Sequence, residues 1–176
     1  YLQIGMGFGP LESGLRAAPW TMVPMVVAPV AGVLVKRYGP RAVLLIGMAL
    51  QTAAVGCFVL LAHTSSGYGP YVLPMLIAGT GMGLTFSPLA TAVLEGIASQ
   101  DRAVVSGVNQ TARQLGTATG IALCTALFTT FGAYAPGERF TAGLVPALGS
   151  CTVLLVVATA LVIAMPRGRL QPAGQQ

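Results

Sequence analysis

The stretch SGVNQTARQLGTATG, residues 106 to 120, opens with amide and guanidinium side chains and continues into an apolar run. On a helix, Asn109, Arg113, Gly116 and Gly120 recur at intervals of four, three and four residues, which places them on one stripe. A guanidinium in an apolar setting needs a partner or water, because burying it alone costs roughly several kcal/mol. We therefore expect this stripe to face protein rather than lipid.

The sequence allows two depths for Arg113 in a membrane. If the hydrocarbon section runs from about residue 115 to 134, Arg113 lies at the boundary and its side chain reaches water. If the helix enters at Ala103, Arg113 lies roughly 15 Å deep and is a substrate or gating charge. We favour the boundary, where Arg113 would contact helix carbonyl ends or Glu95 in a gate that also holds Asn109.

A second candidate site surrounds Gln51, which stands about ten residues, or roughly 15 Å, from either end of an apolar run. Its amide either makes an interhelical hydrogen bond, worth roughly 0.6–2 kcal/mol, or contacts a ligand in a cavity. Met22, Met25, Met48 and Phe86 are candidates for the apolar wall of that cavity, since Met repacks around varied ligands. For each of the four, a packing or lipid-facing role is the alternative.

Helix-interrupting residues occur in two of the apolar runs. Pro24 and Pro29 each remove a backbone donor inside the first run and should bend it. Gly79 and Gly83 form a small-xxx-small pair in the third run, which lets another backbone approach closely. Interrupted helices can line a cavity or simply pack, and both interpretations stay open.

The amino-acid composition indicates whether these side chains lie in a soluble domain or in a membrane. Of 176 residues, 55% are hydrophobic and 7% are charged, whereas soluble domains carry roughly a quarter charged residues. The chain is therefore expected to lie in a membrane. The net charge of +5 comes from basic residues scattered between long uncharged runs. Their scatter indicates contact with the lipid bilayer and no nucleic-acid partner.

The reactive side chains argue against catalysis. No Asp or Glu falls within an apolar run, so a coupling carboxylate must come from elsewhere. His63 is the only histidine, and no serine-based motif accompanies it, so an enzyme, a metal site and a bound cofactor are not expected. Cys57, Cys124 and Cys151 each fall inside an apolar run and are expected to be free, buried thiols.

Five runs are long enough to cross a bilayer, which takes about 20 mostly apolar residues in a helix. We therefore predict an all-α, polytopic membrane bundle. The spans cover residues 17–35, 42–62, 70–94, 103–137 and 140–166. They form one partial bundle over residues 1–166, followed by a tail at 167–176.

The basic residues predict the orientation of these spans. When connections alternate between the two sides of the bilayer, one side collects Lys36, Arg37, Arg41, Arg102, Arg167 and Arg169, and the other Arg16 and Arg139. Because basic segments resist translocation, the first side is expected to be the cytoplasmic side of the cell (inner) membrane. The amino terminus then lies outside and the tail inside, as in a six-helix half without its first helix.

Four blocks of the sequence carry a family resemblance. They are YLQIGMGFGPLESGLRAAP (1–19), GVLVKRYGPR (32–41), GTGMGLTFSPL (79–89) and SGVNQTARQLGTATGIAL (106–123). Together they resemble the carboxyl-terminal part of major facilitator superfamily drug:proton antiporters, in the fourteen-span multidrug branch. The resemblance covers nearly the whole chain and does not specify a substrate.

The resemblance implies two six-helix bundles around a central cavity, alternating access, and export of amphipathic small molecules driven by a proton gradient. The present spans would be the last five, and the amino-terminal bundle of the same transporter would be their partner. Gln51 and the interrupted first and third spans would then face substrate, while Glu95, Asn109 and Arg113 would form the cytoplasmic gate. The alternative is a non-transporting membrane module, such as an assembly partner or a sensor.

The block GVLVKRYGPR resembles the superfamily's cytoplasmic loop motif, Gly-x-Leu-x-Asp-Arg-x-Gly-x-Arg. Five positions match the motif: Gly32, Leu34, Arg37, Gly39 and Arg41. Lys36 occupies the position of its Asp. In the family that acid would cap a neighbouring helix and pair with Arg. With a cation in its place we expect no such latch, and the segment is interpreted mainly as a basic turn that fixes orientation.

Overall fold

The computed structural model of the chain describes residues 3, 6 to 64, 67 to 94, 97 to 133 and 138 to 164. It has five helices: α1 (Pro10–Tyr38), α2 (Pro40–Thr64), α3 (Gly69–Leu94), α4 (Arg102–Phe131) and α5 (Glu138–Ala164). Among the described residues, α1, α2, α4 and α5 are long and apolar enough, by length and composition, to cross a membrane. The predicted all-α membrane class is confirmed, and the crossing of α3 stays a prediction.

Proline and glycine set several helix ends. Pro10 and Pro40 stand at the starts of α1 and α2, where a missing N–H breaks no helical hydrogen bond. Gly39 ends α1 with φ +81° and ψ 155°, a backbone conformation that is open mainly to glycine. α1 thus begins before the predicted span at residue 17. α4 ends at Phe131, before the predicted limit at 137, because Gly132 takes an extended conformation.

Helix α3 lies between α1 and α2, which contact its opposite faces. α2 also packs against α5, α5 packs against α4, and α4 touches α3 only lightly. A Cβ added to Gly79 would lie 2.9 Å from the carbonyl oxygen of Trp20, and one added to Gly83 would lie 2.9 Å from the Cβ of Val27. The close backbone approach predicted for Gly79 and Gly83 is therefore confirmed.

Among the described residues, two small apolar clusters form the core, one joining α1, α2 and α3 and the other joining α4 to α5. The first consists of Ala31, Val43 and Leu84, and the second of Phe128, Phe140 and Ala147. The two clusters are separate, so the bundle is held by pairwise helix contacts more than by one central core.

Arg41 and Arg102 lie at the same end of the bundle, called the basic end below. Arg41, at the start of α2, donates from Nη2 to the carbonyl oxygen of Ile163, near the end of α5, at 2.5 Å. α4 runs antiparallel to α5, because Phe128 near the end of α4 packs against Phe140 near the start of α5. The start of α4 therefore lies toward the same end of the bundle as the end of α5, as the alternating assignment of basic residues requires.

Candidate functional site

The first two-thirds of α4 carries the polar stripe and leaves it open. α4 packs on α5 through its last third, around Cys124 and Phe128. Arg113 is exposed, and a Cβ added to Gly116 or Gly120 would meet nothing within 4 Å. The two glycines thus meet no described helix, and the expectation that this stripe faces protein stays a prediction.

The guanidinium of Arg113 lies over the ring of Phe86 on α3. The guanidinium carbon lies 5.4 Å from the ring centroid, within the range of a cation–π contact. Phe86 is 40% exposed and Asn109, one turn before Arg113, is half-buried. Glu95, the predicted acidic partner, lies outside the described residues. The structure therefore brings together Arg113, Asn109 and Phe86 from α3 and α4, without an acid among the described side chains.

The position of Arg113 along its helix is also defined. α4 begins at Arg102, so Arg113 lies roughly 16 Å along it at 1.5 Å per residue. The helix therefore begins well ahead of residue 115, near which the hydrocarbon boundary is expected. The depth of Arg113 in a membrane stays a prediction.

Exposed side chains differ in kind between α5 and α4. The exposed residues in the second half of α5 are largely large aliphatics: Val153, Leu154, Val156, Val157, Leu161 and Ile163. On α4 the exposed residues include amide, hydroxyl and guanidinium groups: Gln110, Thr111, Arg113, Gln114, Thr117 and Thr119. α4 also exposes large aliphatics: Val104, Val108, Leu115 and Ile121. The α5 surface therefore suits hydrocarbon, whereas α4 is mixed, and its polar part suits water, a polar ligand or another protein segment.

Gln51 makes an interhelical hydrogen bond between α2 and α3. Its Nε2 donates to Thr85 Oγ1 at 2.8 Å, and that hydroxyl donates to the carbonyl oxygen of Gly81 at 2.8 Å. Met48, one turn earlier, is buried with 8% of its surface exposed. Of the two interpretations of Gln51, the interhelical bond is present. The proposed ligand contacts of Gln51 and Met48 stay predictions.

Met22 and Met25 lie on the face of α1 that points away from α3. α1 contacts α3 through Val23 and Val27, and helical spacing places both methionines on the other side. Met22 is 67% exposed and Met25 is 82% exposed. They are therefore available to a ligand, to lipid or to another bundle, but they do not form one cluster with Gln51 and Met48.

The loop motif forms a turn between α1 and α2. Gly39 donates its N–H to the carbonyl oxygen of Val35 at 2.9 Å, so this glycine closes the last turn of α1. Lys36 and Arg37 are exposed, whereas Arg41 is half-buried against the end of α5. A cation suits that position, because the last carbonyl groups of a helix carry partial negative charge. A Cβ at Gly32 would meet no described atom within 4 Å.

A cluster around Arg16 at the opposite end was not predicted. Its guanidinium carbon lies 3.6 Å from the ring centroid of Phe8 and 4.9 Å from that of Tyr68, and Glu12 pairs with it at 2.7 Å. Tyr68 also donates to the Arg16 carbonyl oxygen at 2.8 Å, which ties the segment before α3 to α1. The four-residue spacing of Glu12 and Arg16 was the available sequence signal.

Comparisons with known proteins add a family. Residues 1–121 match the sequence profile of the Major Facilitator Superfamily. The chain is 30% identical over 169 residues to the uncharacterized transporter YebQ of Escherichia coli K12, covering 96% of this chain and 36% of that protein. It is 32% identical over 131 residues to a multidrug resistance protein B homolog of Mycobacterium tuberculosis, covering 73% and 24%.

A further relative is the tetracenomycin C resistance and export protein of Streptomyces glaucescens. It is 31% identical over 123 residues, which are 70% of this chain and 23% of that protein. The chain thus spans between 23% and 36% of the length of these relatives.

Proposed function

Because this chain belongs to the Major Facilitator Superfamily, we propose that it acts as the carboxyl-terminal part of a multidrug-type exporter. In this proposal it forms one wall of a central cavity, from which amphipathic small molecules leave the cell in exchange for protons. The names of the relatives, a multidrug resistance protein and an antibiotic export protein among them, support this choice of activity. They do not favour a non-transporting module.

The observation that carries the proposal is the open polar face of α4. Gln110, Arg113 and Gln114 lie exposed on one side of α4 and carry amide or guanidinium groups. The hydroxyls of Thr111 and Thr117 instead donate to carbonyl oxygens of their own helix. Such a face is costly in hydrocarbon but stable against a water-containing cavity. The aliphatic surface of α5 is suited to lipid. A bundle with one polar and one aliphatic exposed side is what a cavity wall requires.

The residues divide into three roles in this proposal. Arg113, Asn109 and Phe86 form the polar gate between α3 and α4, to which Glu95 would add an acid. An adaptable apolar surface for substrate comes from Met22, Met25 and the exposed edge of the Phe86 ring. Gln51 and Met48 act indirectly, because Gln51 bonds α2 to α3 and Met48 is buried in α2.

The orientation follows from the basic end. We infer that Arg41 and Arg102 face the cytoplasm, because basic connections resist translocation across the cell (inner) membrane. The start of α1 then lies outside and the tail at 167–176, which is outside the described residues, lies inside. The partner would be an amino-terminal bundle in the same protein, consistent with the greater length of the relatives.

The test is dye transport in everted membrane vesicles that contain the full-length protein. An imposed proton gradient, acid inside, should drive accumulation of a cationic amphipathic dye. Arg113→Ala should lower the initial rate at least several-fold, because the gate loses its only described charge. Val157→Ala is the matched control, since Val157 is exposed on the aliphatic face of α5 and should leave the rate unchanged.

Dye accumulation that is equal with and without the gradient would refute export by proton exchange. A rate in the Arg113→Ala protein equal to that of the Val157→Ala control would refute the gate and leave export standing. Accessibility of a cysteine introduced at the tail to a membrane-impermeant reagent, in intact cells and in everted vesicles, tests the orientation separately.

A further inference from the structure

Two cysteine side chains meet where α4 packs against α5. Cys124 Sγ and Cys151 Sγ lie 3.2 Å apart, and Cys124 Sγ also lies 3.8 Å from the carbonyl oxygen of Ala147. Both thiols are free and half-buried. Cys57, on α2, is also free, but it is exposed, contrary to the expectation that all three thiols are buried. The chain therefore contains one thiol pair and one isolated thiol.

The packing of α4 on α5 fixes the register of this pair. A Cβ added to Gly143 would lie 2.7 Å from the carbonyl oxygen of Phe128, so the two helices are close enough to exclude a side chain. Phe128 and Phe140 pack edge to face with their ring centroids 5.1 Å apart. These contacts hold the helices on one side of the thiols, so the sulfur atoms meet as a consequence of the helix packing.

We propose that Cys124 and Cys151 form a redox modification site, in which a membrane-soluble quinone oxidises the two thiols to a disulfide that joins α4 to α5. Two S–H bonds break and one S–S bond forms. The two protons and two electrons pass to the quinone, which becomes a hydroquinone. A disulfide has an S–S length of about 2.05 Å, so the sulfur atoms, now 3.2 Å apart, need to close by about 1.2 Å.

A lipid-soluble oxidant is the class that suits this position. Cys151 lies roughly 20 Å along α5 from its start at Glu138, well inside an apolar helix. Charged or strongly hydrated oxidants are poorly soluble in such surroundings. A quinone dissolves in the hydrocarbon and accepts protons together with electrons, so no free charge has to remain beside the sulfur atoms.

The test uses the full-length protein in proteoliposomes, incubated with decylubiquinone or with dithiothreitol. The protein is then denatured, alkylated with N-ethylmaleimide, digested and analysed by mass spectrometry. After decylubiquinone we expect a peptide linked through Cys124 and Cys151 and loss of alkylation at both positions. Dithiothreitol should restore both alkylated peptides, and Cys57 should be alkylated under both conditions.

Alkylation of Cys124 and Cys151 that remains as complete as that of Cys57 after decylubiquinone would overturn the proposal. Cys57→Ser is the matched control and should still give the linked peptide, whereas Cys124→Ser should abolish it. Persistence of the same linked peptide mass in Cys124→Ser would also overturn the assignment. Since the readout is chemical, the outcome does not depend on whether the protein exports drugs.

Discussion

Substitution of Gly81 by Ala tests the contact that joins α2 to α3. A Cβ at position 81 would lie 2.6 Å from the carbonyl oxygen of Gly47 and 2.8 Å from Cγ of Gln51. Backbone atoms of α2 cannot rotate away as a flexible side chain can, so the two helices must separate. The separation would also stretch the hydrogen bond from Gln51 to Thr85, now 2.8 Å long.

Three terms set the magnitude of this effect. Overpacking of a tight contact costs about 1–3 kcal/mol. Loss of an interhelical hydrogen bond in a membrane protein adds about 0.6 kcal/mol. The higher helix propensity of Ala relative to Gly offsets about 1 kcal/mol of this destabilisation. Gly81→Ala is therefore expected to lower the free energy of unfolding by roughly 0.6–2.6 kcal/mol.

Gly56→Ala provides the matched control, because Gly56 lies inside the neighbouring helix α2 and a Cβ there would meet nothing within 4 Å. It should raise the free energy of unfolding by up to about 1 kcal/mol through helix propensity alone. Both variants can be compared in the full-length protein by denaturant titration in detergent micelles, followed by circular dichroism. Equal or greater stability of Gly81→Ala relative to Gly56→Ala would refute the close α2–α3 contact.

Three further predictions follow from individual contacts. Thr85→Val and Gln51→Leu, measured singly and together, should show a coupling energy of about 0.6–1.7 kcal/mol, and additive effects would contradict the interhelical bond. Arg113→Lys should lower the dye-transport rate although the positive charge is kept, because Lys loses the planar stacking of Arg on the ring. Phe86→Leu should lower the rate to a similar extent. Full activity of either variant would contradict the stacked gate. Met25→Ala should change the free energy of unfolding by less than about 0.5 kcal/mol, because Met25 is 82% exposed; it should nevertheless slow dye transport, and an unchanged rate would remove Met25 from the cavity wall.

Much of the architecture was predictable because hydrocarbon imposes simple requirements on a chain. Long uncharged runs had to form helices with satisfied backbone groups, and all five predicted spans overlap a helix. Because connections between successive spans alternate between the two sides of the bilayer, the sequence predicted Arg41 and Arg102 at the same end of the bundle. The contact of Arg41 with the end of α5 and the antiparallel packing of α4 on α5 produce this arrangement. Gly79 and Gly83 revealed a close helix contact through their spacing, because such spacing places both residues on one face.

The partners across helices were less predictable, since spacing within one segment does not identify its neighbour. Gln51 required a partner, but only the packing of α2 on α3 identifies Thr85. The stripe of Asn109 and Arg113 predicted a protein contact, but only the packing of α4 on α3 identifies Phe86 as the ring beside Arg113. Sequence spacing therefore grouped residues on one helix face, but it did not identify the neighbour that the face contacts.

The loop motif shows how a motif position can change without loss of its neighbour's contact. Lys36 is exposed, so the cation at the motif's acid position is not itself buried. In Arg41, Nη1 is buried without a hydrogen-bond partner among the described residues, and only Nη2 is bonded. Arg41 instead binds the carbonyl oxygen of Ile163, and this contact needs only the partial negative charge at the end of α5. The contact between α2 and α5 therefore does not require an acid in the loop. For this reason Lys36→Asp should leave the stability of the basic end nearly unchanged, whereas Arg41→Ala should lower it, and the reverse order would show that the acid position controls this contact.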